Sequence, residues 1–135
     1  MRSALALCLL AMTLAACGAA PRDSAEEFKG EQAAVASAVE DLESAARDND
    51  AGETCTKLFS SGLLATIKER GRSCETAVKD AFDDADLVDL TVDKVSITGT
   101  KATATVTSGT GSKKQTETLA LEKVGAAWRI SSLSS

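Results

Sequence analysis

The chain has 135 residues, of which 44% are hydrophobic and 26% are charged, and its net charge is −5. This length suits one globular domain, and the acidic balance disfavours nucleic acid as a partner, because phosphate contacts need clustered Lys and Arg. Histidine is absent, which excludes Ser-His-Asp triads, Cys-His pairs and histidine-ligated metal sites.

The N-terminal segment has the organisation of an export signal. One positive charge precedes an almost uncharged apolar stretch over residues 3–16. This stretch is shorter than the roughly 17–25 residues of a membrane-spanning helix but has the length of a signal-peptide core. It ends in Leu14-Ala15-Ala16-Cys17, an order that resembles the lipobox of bacterial lipoproteins. An ordinary secretory signal and a short buried helix are the alternatives.

The lipobox resemblance implies where the protein is located. Residues 1–16 would be removed as a signal peptide, Cys17 would carry the lipid, and residues 17–23 would form a tether to a domain over residues 24–135. The protein would then lie on the extracytoplasmic face of the cell membrane, held by its acyl chains. We expect the membrane as a partner through this anchor, an envelope protein as a further partner, and no nucleic acid.

Two cysteines remain for the folded domain, Cys55 and Cys74, because Cys8 lies in the signal segment. In an oxidising compartment such a pair usually forms a disulfide. Free thiols and intermolecular pairing are the alternatives. A zinc site would need further soft ligands, and a redox-active pair would have the much shorter Cys-x-x-Cys spacing.

The first half of the chain predicts three helices. Ser24 and Glu27 have the spacing of a capping box, and apolar residues then recur at helical intervals. A second helix is expected over about residues 53–70, with a break or kink at Gly62. Ser73 is expected to cap the third helix.

The second half of the chain predicts four strands. Apolar residues alternate from Val88 onward, and a change of parity at Asp93-Lys94 indicates a bulge. Two further hairpin connections are expected over residues 108–115 and at Gly125. Helices followed by strands favour an α+β fold, with three N-terminal helices packed on one face of a curved four-stranded antiparallel sheet.

This layout resembles the NTF2-like (cystatin-like cone) superfamily, and more narrowly the small exported lipoproteins of high-GC bacteria. The resemblance covers about residues 24–133 and rests on the element order, on Cys55 and Cys74, and on the terminal AWRIS at residues 127–131. It implies a sheet that wraps a helix, a cone-shaped pocket and a disulfide between the second and third helices. A cystatin-like fold of another topology is the alternative.

The residue types disfavour catalysis. Enzymes of this superfamily use Asp, His or Tyr in the pocket, and this chain has neither His nor Tyr. We therefore expect no catalytic residue, no cofactor and a non-catalytic binding or interaction module. A carrier or sensor of a small apolar ligand is the first alternative, and an isomerase-like enzyme is the second. Trp128 is expected to fill the core, with a pocket-lining position as its alternative.

Two charged stretches are assigned to the solvated surface. Five aspartates between residues 80 and 89 lack the Gly and Glu spacing of an EF-hand, so we expect no metal site. Lys68, Arg70 and Arg72 have two interpretations, contact with anionic lipid headgroups or ion pairs with nearby glutamates, and we expect the second.

The lipid anchor can be tested by metabolic labelling with a radioactive fatty acid. We expect the wild-type protein to incorporate label and Cys17→Ala to lose it, because the acylated sulfur is removed. Equal labelling of the two proteins would contradict the lipobox interpretation.

Overall fold

The structure is a computed structural model, and it describes residues 24–84, 89–109 and 111–133. The predicted signal segment 1–16, the predicted lipidation site Cys17, the predicted tether 17–23 and the expected strand start at Val88 lie outside the described residues. Within those ranges, four α-helices precede the sheet: α1 (Glu31–Arg47), α2 (Ala51–Glu53), α3 (Ser61–Glu69) and α4 (Cys74–Asp84). The strands are β1 (Leu90–Thr98), β2 (Lys101–Ser108), β3 (Gln115–Val124) and β4 (Ala127–Ser132).

The four strands form one antiparallel sheet in the order β1-β2-β3-β4, and its edges do not close on each other. The α+β class is thus confirmed. Along β2, the buried Ala102, Ala104 and Val106 alternate with threonines on the other face, as the two-residue period requires. The register of β1 against β2 shifts between Val92 and Lys94, which confirms the predicted bulge.

One helix, α1, supplies most of the helical side of the core. Its Val35 and Val39 have no exposed surface, and they belong to the same apolar cluster as Leu121 of β3 and Ile130 of β4. Each such side chain contributes about 1.5–3 kcal/mol by leaving water. This packing fixes α1 across the inner face of the sheet, which the remaining helices then cover at one end.

The predicted capping box at Ser24 and Glu27 is wrong. Residues Ser24–Glu27 form a short 3₁₀ helix, and α1 begins only at Glu31. The hydroxyl of Ser24 is buried and accepts a hydrogen bond at 3.2 Å from the backbone N–H of Val92 in β1. Tertiary bonding to the sheet has therefore replaced the local cap.

The predicted second helix is divided into two, so the expectation of three helices is also wrong. A π-helical turn over Thr54–Leu58 ends at Phe59, whose backbone is extended with φ −88° and ψ 144°. The N–H of Ser60 donates to the carbonyl of Ile130 at 2.9 Å, and the hydroxyl of Ser60 caps α3. The break therefore lies at Phe59 and Ser60, and Gly62 is inside α3.

The cysteine prediction is confirmed. Cys55 in the π-helical turn and Cys74 at the start of α4 form a disulfide with a Cα–Cα distance of 6.0 Å. The preceding Ser73 accepts a hydrogen bond at 3.2 Å from the N–H of Thr76, which is the expected N-terminal cap of this helix. The disulfide joins the two ends of the segment that contains α3.

Removing this cross-link should destabilise the domain. Closing a loop of about this length contributes roughly 3 kcal/mol to the free energy of unfolding in the chain-entropy description. We expect urea unfolding to show a loss of about that size when the protein is reduced. The double variant Cys55→Ser/Cys74→Ser is the control, since reductant should not change its stability; an unchanged midpoint on reduction of the wild type would contradict the assigned role.

Candidate functional site

A cavity of about 420 Å³ lies between the α3–α4 hairpin and one end of the inner face of the sheet. Small-molecule sites in proteins span roughly 300–1,000 Å³, so this volume suits a small ligand. Most of the lining is apolar, and it includes Leu63, Ile67, Ala81, Phe82, Leu90 and Leu119. The cavity thus offers an apolar interior framed by helices on one side and strands on the other.

The cavity exists because the α3–α4 hairpin does not pack fully onto the sheet. No residue of α3 is fully buried, and Leu63, Leu64 and Ile67 lie only partly buried against the core. Among the described side chains of α4, Val78 is the one that is fully buried. Most other apolar side chains of the α3–α4 hairpin therefore face the sheet but are only partly covered by it.

Two charged side chains line this largely apolar cavity. Arg70 follows the last residue of α3, and Glu117 lies on β3, on the same face as the buried Leu119 and Leu121. No ion pair between residues of the described ranges includes either side chain. Within the described ranges, a cation and an anion without an ion-pair partner therefore border the same apolar space.

The three basic residues from Lys68 to Arg72 do not form the expected pairs with glutamates. Arg72 pairs with Asp80 of α4 instead, and this ion pair joins the turn after α3 to the following helix. Lys68 enters no ion pair with another described residue, and Arg70 faces the cavity. Among the described residues, the ion-pair partner of Arg72 is thus an aspartate and not a glutamate.

Trp128 lies in the core, as the sequence predicts. Its side chain is buried, and its indole N–H donates to the carboxylate of Glu31 at 2.8 Å. The Lys123 ammonium donates to the same carboxylate at 2.7 Å and lies 5.9 Å from the ring centroid. Trp128 does not contribute to the described lining of the cavity.

The Glu31 carboxylate is consequently shifted toward its charged form. The hydrogen bond from Lys123 is the largest cause, and with the bond from Trp128 it lowers the pKa of Glu31 below its ordinary value. The cluster of Glu31, Lys123 and Trp128 connects the start of α1 to β3 and β4. It lies at the end of the sheet opposite the cavity-lining pair Val106 and Glu117.

The chemistry of the cavity is limited to a few polar groups. Glu117 is the single carboxylate in the described lining, and hydroxyls come from Thr66, Ser131 and Ser132. No group of three or more Cys, Asp or Glu residues in ranges 24–84, 89–109 and 111–133 is placed to hold a metal ion. No helix in these ranges combines the length and apolar character needed to cross a bilayer.

Sequence reasoning missed Glu117. The two-residue period of β3 places Glu117 on the face of Leu119 and Leu121, so a charged residue at a core-facing position was the available signal. Arg70 was identified only as one of three surface basic residues. Its role depends on how α3 lies over the sheet, which no local pattern encodes.

No protein-family model matches this chain, and comparisons with curated proteins and with solved structures also found no match.

The cluster of Glu31, Lys123 and Trp128 is expected to make a pH-dependent contribution to the stability of the fold. A carboxyl group whose pKa is lowered by folding stabilises the protein above its unfolded pKa, and this contribution is lost as the pH falls through the folded pKa. We expect the Tm, followed by Trp128 fluorescence, to decrease between about pH 5 and pH 3, and to decrease less steeply in Glu31→Gln. Equal slopes in the two proteins would contradict this assignment.

Proposed function

We propose that the protein is a lipid-anchored, extracytoplasmic binding module without catalytic activity, and that its cavity takes up a small apolar ligand. The observation that carries this proposal is the cavity of about 420 Å³, with its largely apolar lining between α3, α4 and the sheet. The lipobox resemblance at residues 14–17 supports the membrane anchor.

The NTF2-like assignment is part of this proposal. It is supported by helices that precede and pack on one face of an open antiparallel sheet, and by a disulfide that connects two helical segments. In the proposed fold the sheet and α1 enclose the core, and the α3–α4 hairpin forms the outer wall of the pocket.

The lining supports binding in preference to catalysis. An enolising enzyme needs a positioned base and a donor for the developing oxyanion. The chain has no His or Tyr, and the carboxylate found in the described lining belongs to Glu117, whose side chain is exposed. Such a group is poorly shielded from water for proton abstraction from carbon.

The apolar interior supports ligand uptake over protein docking alone, because a docking module gains nothing from unfilled space behind its surface. Each ligand methylene that enters the cavity contributes about 0.8 kcal/mol. About ten of them contribute roughly 8 kcal/mol, from which the lost translational and rotational freedom is subtracted. A dissociation constant of about 1 μM is therefore the tightest affinity expected for such a ligand.

The proposal can be tested by filling the cavity. We expect Ala81→Trp, at a lining position of α4, to abolish binding of the fluorescent apolar probe N-phenyl-1-naphthylamine, since the indole occupies the space. Ala65→Trp is the matched control, because Ala65 lies on α3, is exposed and does not line the cavity.

Circular dichroism and an intact Cys55–Cys74 disulfide establish that both variants remain folded. The proposal fails if the wild-type protein does not bind the probe, or if Ala81→Trp and Ala65→Trp bind it equally well.

A further inference from the structure

We propose that the cavity selects single-chain amphiphiles whose head group carries both a positive and a negative charge, with Arg70 receiving the anion and Glu117 the cation. This inference rests on the proposed uptake of an apolar ligand and names the chemical class of that ligand.

The two charges stand on different walls of one cavity. Arg70 belongs to the helical wall, at the C-terminal end of α3, and Glu117 belongs to the strand wall, where it pairs with Val106 of β2. Both side chains are exposed. Each can therefore contact the solvated head group of a ligand while the ligand's alkyl chain is buried in the cavity. A ligand with opposite charges on one head can contact both walls at once.

Neither charge is already neutralised by a neighbour in the described chain. The guanidinium of Arg70 and the carboxylate of Glu117 are more than 4.0 Å from each other, since they form no ion pair, and neither pairs elsewhere within the described ranges. The adjacent Arg72, by contrast, is paired with Asp80. A bound zwitterion would complete two interactions that the described residues leave open.

The position of Glu117 argues for a role beyond contact with water. Leu119 and Leu121, the next residues on the same face of β3, are buried in the core, and an apolar residue at position 117 would extend that face. A carboxylate there forgoes the burial that its neighbours gain. Its placement beside an apolar cavity is explained by contact with a cationic group.

The charges also explain selectivity. A purely anionic head group would be attracted by Arg70 but repelled by the carboxylate of Glu117. A purely cationic head group would be attracted by Glu117 but repelled by Arg70. Exposed ion pairs contribute up to about 1 kcal/mol, so the preference for a zwitterion over either single charge is expected to be about three- to fivefold.

The test compares amphiphiles that share a dodecyl chain, each below its micelle-forming concentration, by displacement of N-phenyl-1-naphthylamine from the full-length protein. The probes are zwitterionic dodecylphosphocholine, anionic dodecyl phosphate and cationic dodecyltrimethylammonium. Uncharged dodecanol is the reference, and each affinity is expressed as a ratio to that of dodecanol, so that any general loss of folded protein cancels.

We expect the wild type to favour dodecylphosphocholine about three- to fivefold over both singly charged probes. Arg70→Gln should shift the preference toward dodecyltrimethylammonium, and Glu117→Gln should shift it toward dodecyl phosphate. Arg72→Gln, the same substitution two residues from Arg70 but outside the cavity lining, should keep the wild-type ratios.

Equal ratios for the three charged probes in the wild type would overturn the head-group assignment. If dodecanol still binds in that case, the proposed uptake of an apolar ligand stands. Failure of all four amphiphiles to displace the probe would overturn both. Variants of Arg70 and Glu117 that keep the wild-type ratios would also overturn the assignment, since a merely structural role moves all four ligands alike and cancels in the ratio.

Discussion

The arrangement of the domain depends on the short extended segment at Phe59 and Ser60. Phe59 forms a parallel bridge with Ile130, and the Ser60 N–H donates to the Ile130 carbonyl. Arg129 reinforces this junction, because its guanidinium donates to the carbonyls of Thr56 and Phe59 at 3.1 and 3.3 Å. The helical segment is thereby attached to the edge of β4 at one point, and α3 starts anew from there over the end of the sheet.

This attachment explains why an apolar cavity can persist in a stable domain. The junction and the disulfide at Cys55 and Cys74 fix both ends of the segment that contains α3, so α3 is held in place without a fully buried side chain of its own. A cross-link that restricts the unfolded chain adds stability without requiring dense packing. The stability that a filled interior would provide is thus partly replaced by covalent constraint, and the space remains accessible.

The sequence patterns predict what is determined locally. The alternation of β2 and the bulge after Val92 follow from residue periods, and the structure agrees. The errors lie where tertiary contacts override local preference. Ser24 has a capping-box partner in sequence but bonds to Val92, and the helix breaks at Phe59 because the sheet edge offers better hydrogen bonds there than another helical turn. The cavity depends on such long-range contacts, so Arg70 could not be assigned to it from the sequence alone. For Glu117, the two-residue period of β3 shows a charge on the core-facing side but not the cavity beside it.

The buried Ser24 links the proposed anchor to the proposed binding site. Its hydroxyl is bonded to Val92, and Leu90 of the cavity lining lies two residues away along β1, a distance of about 7 Å. The proposed tether of residues 17–23 spans at most about 25 Å when fully extended. A lipid on Cys17 would therefore keep the cavity within a few nanometres of the bilayer. Single-chain amphiphiles concentrate at that surface by the same burial of methylenes that favours the cavity, so the anchor would raise the local concentration of the proposed ligand and make modest affinity sufficient.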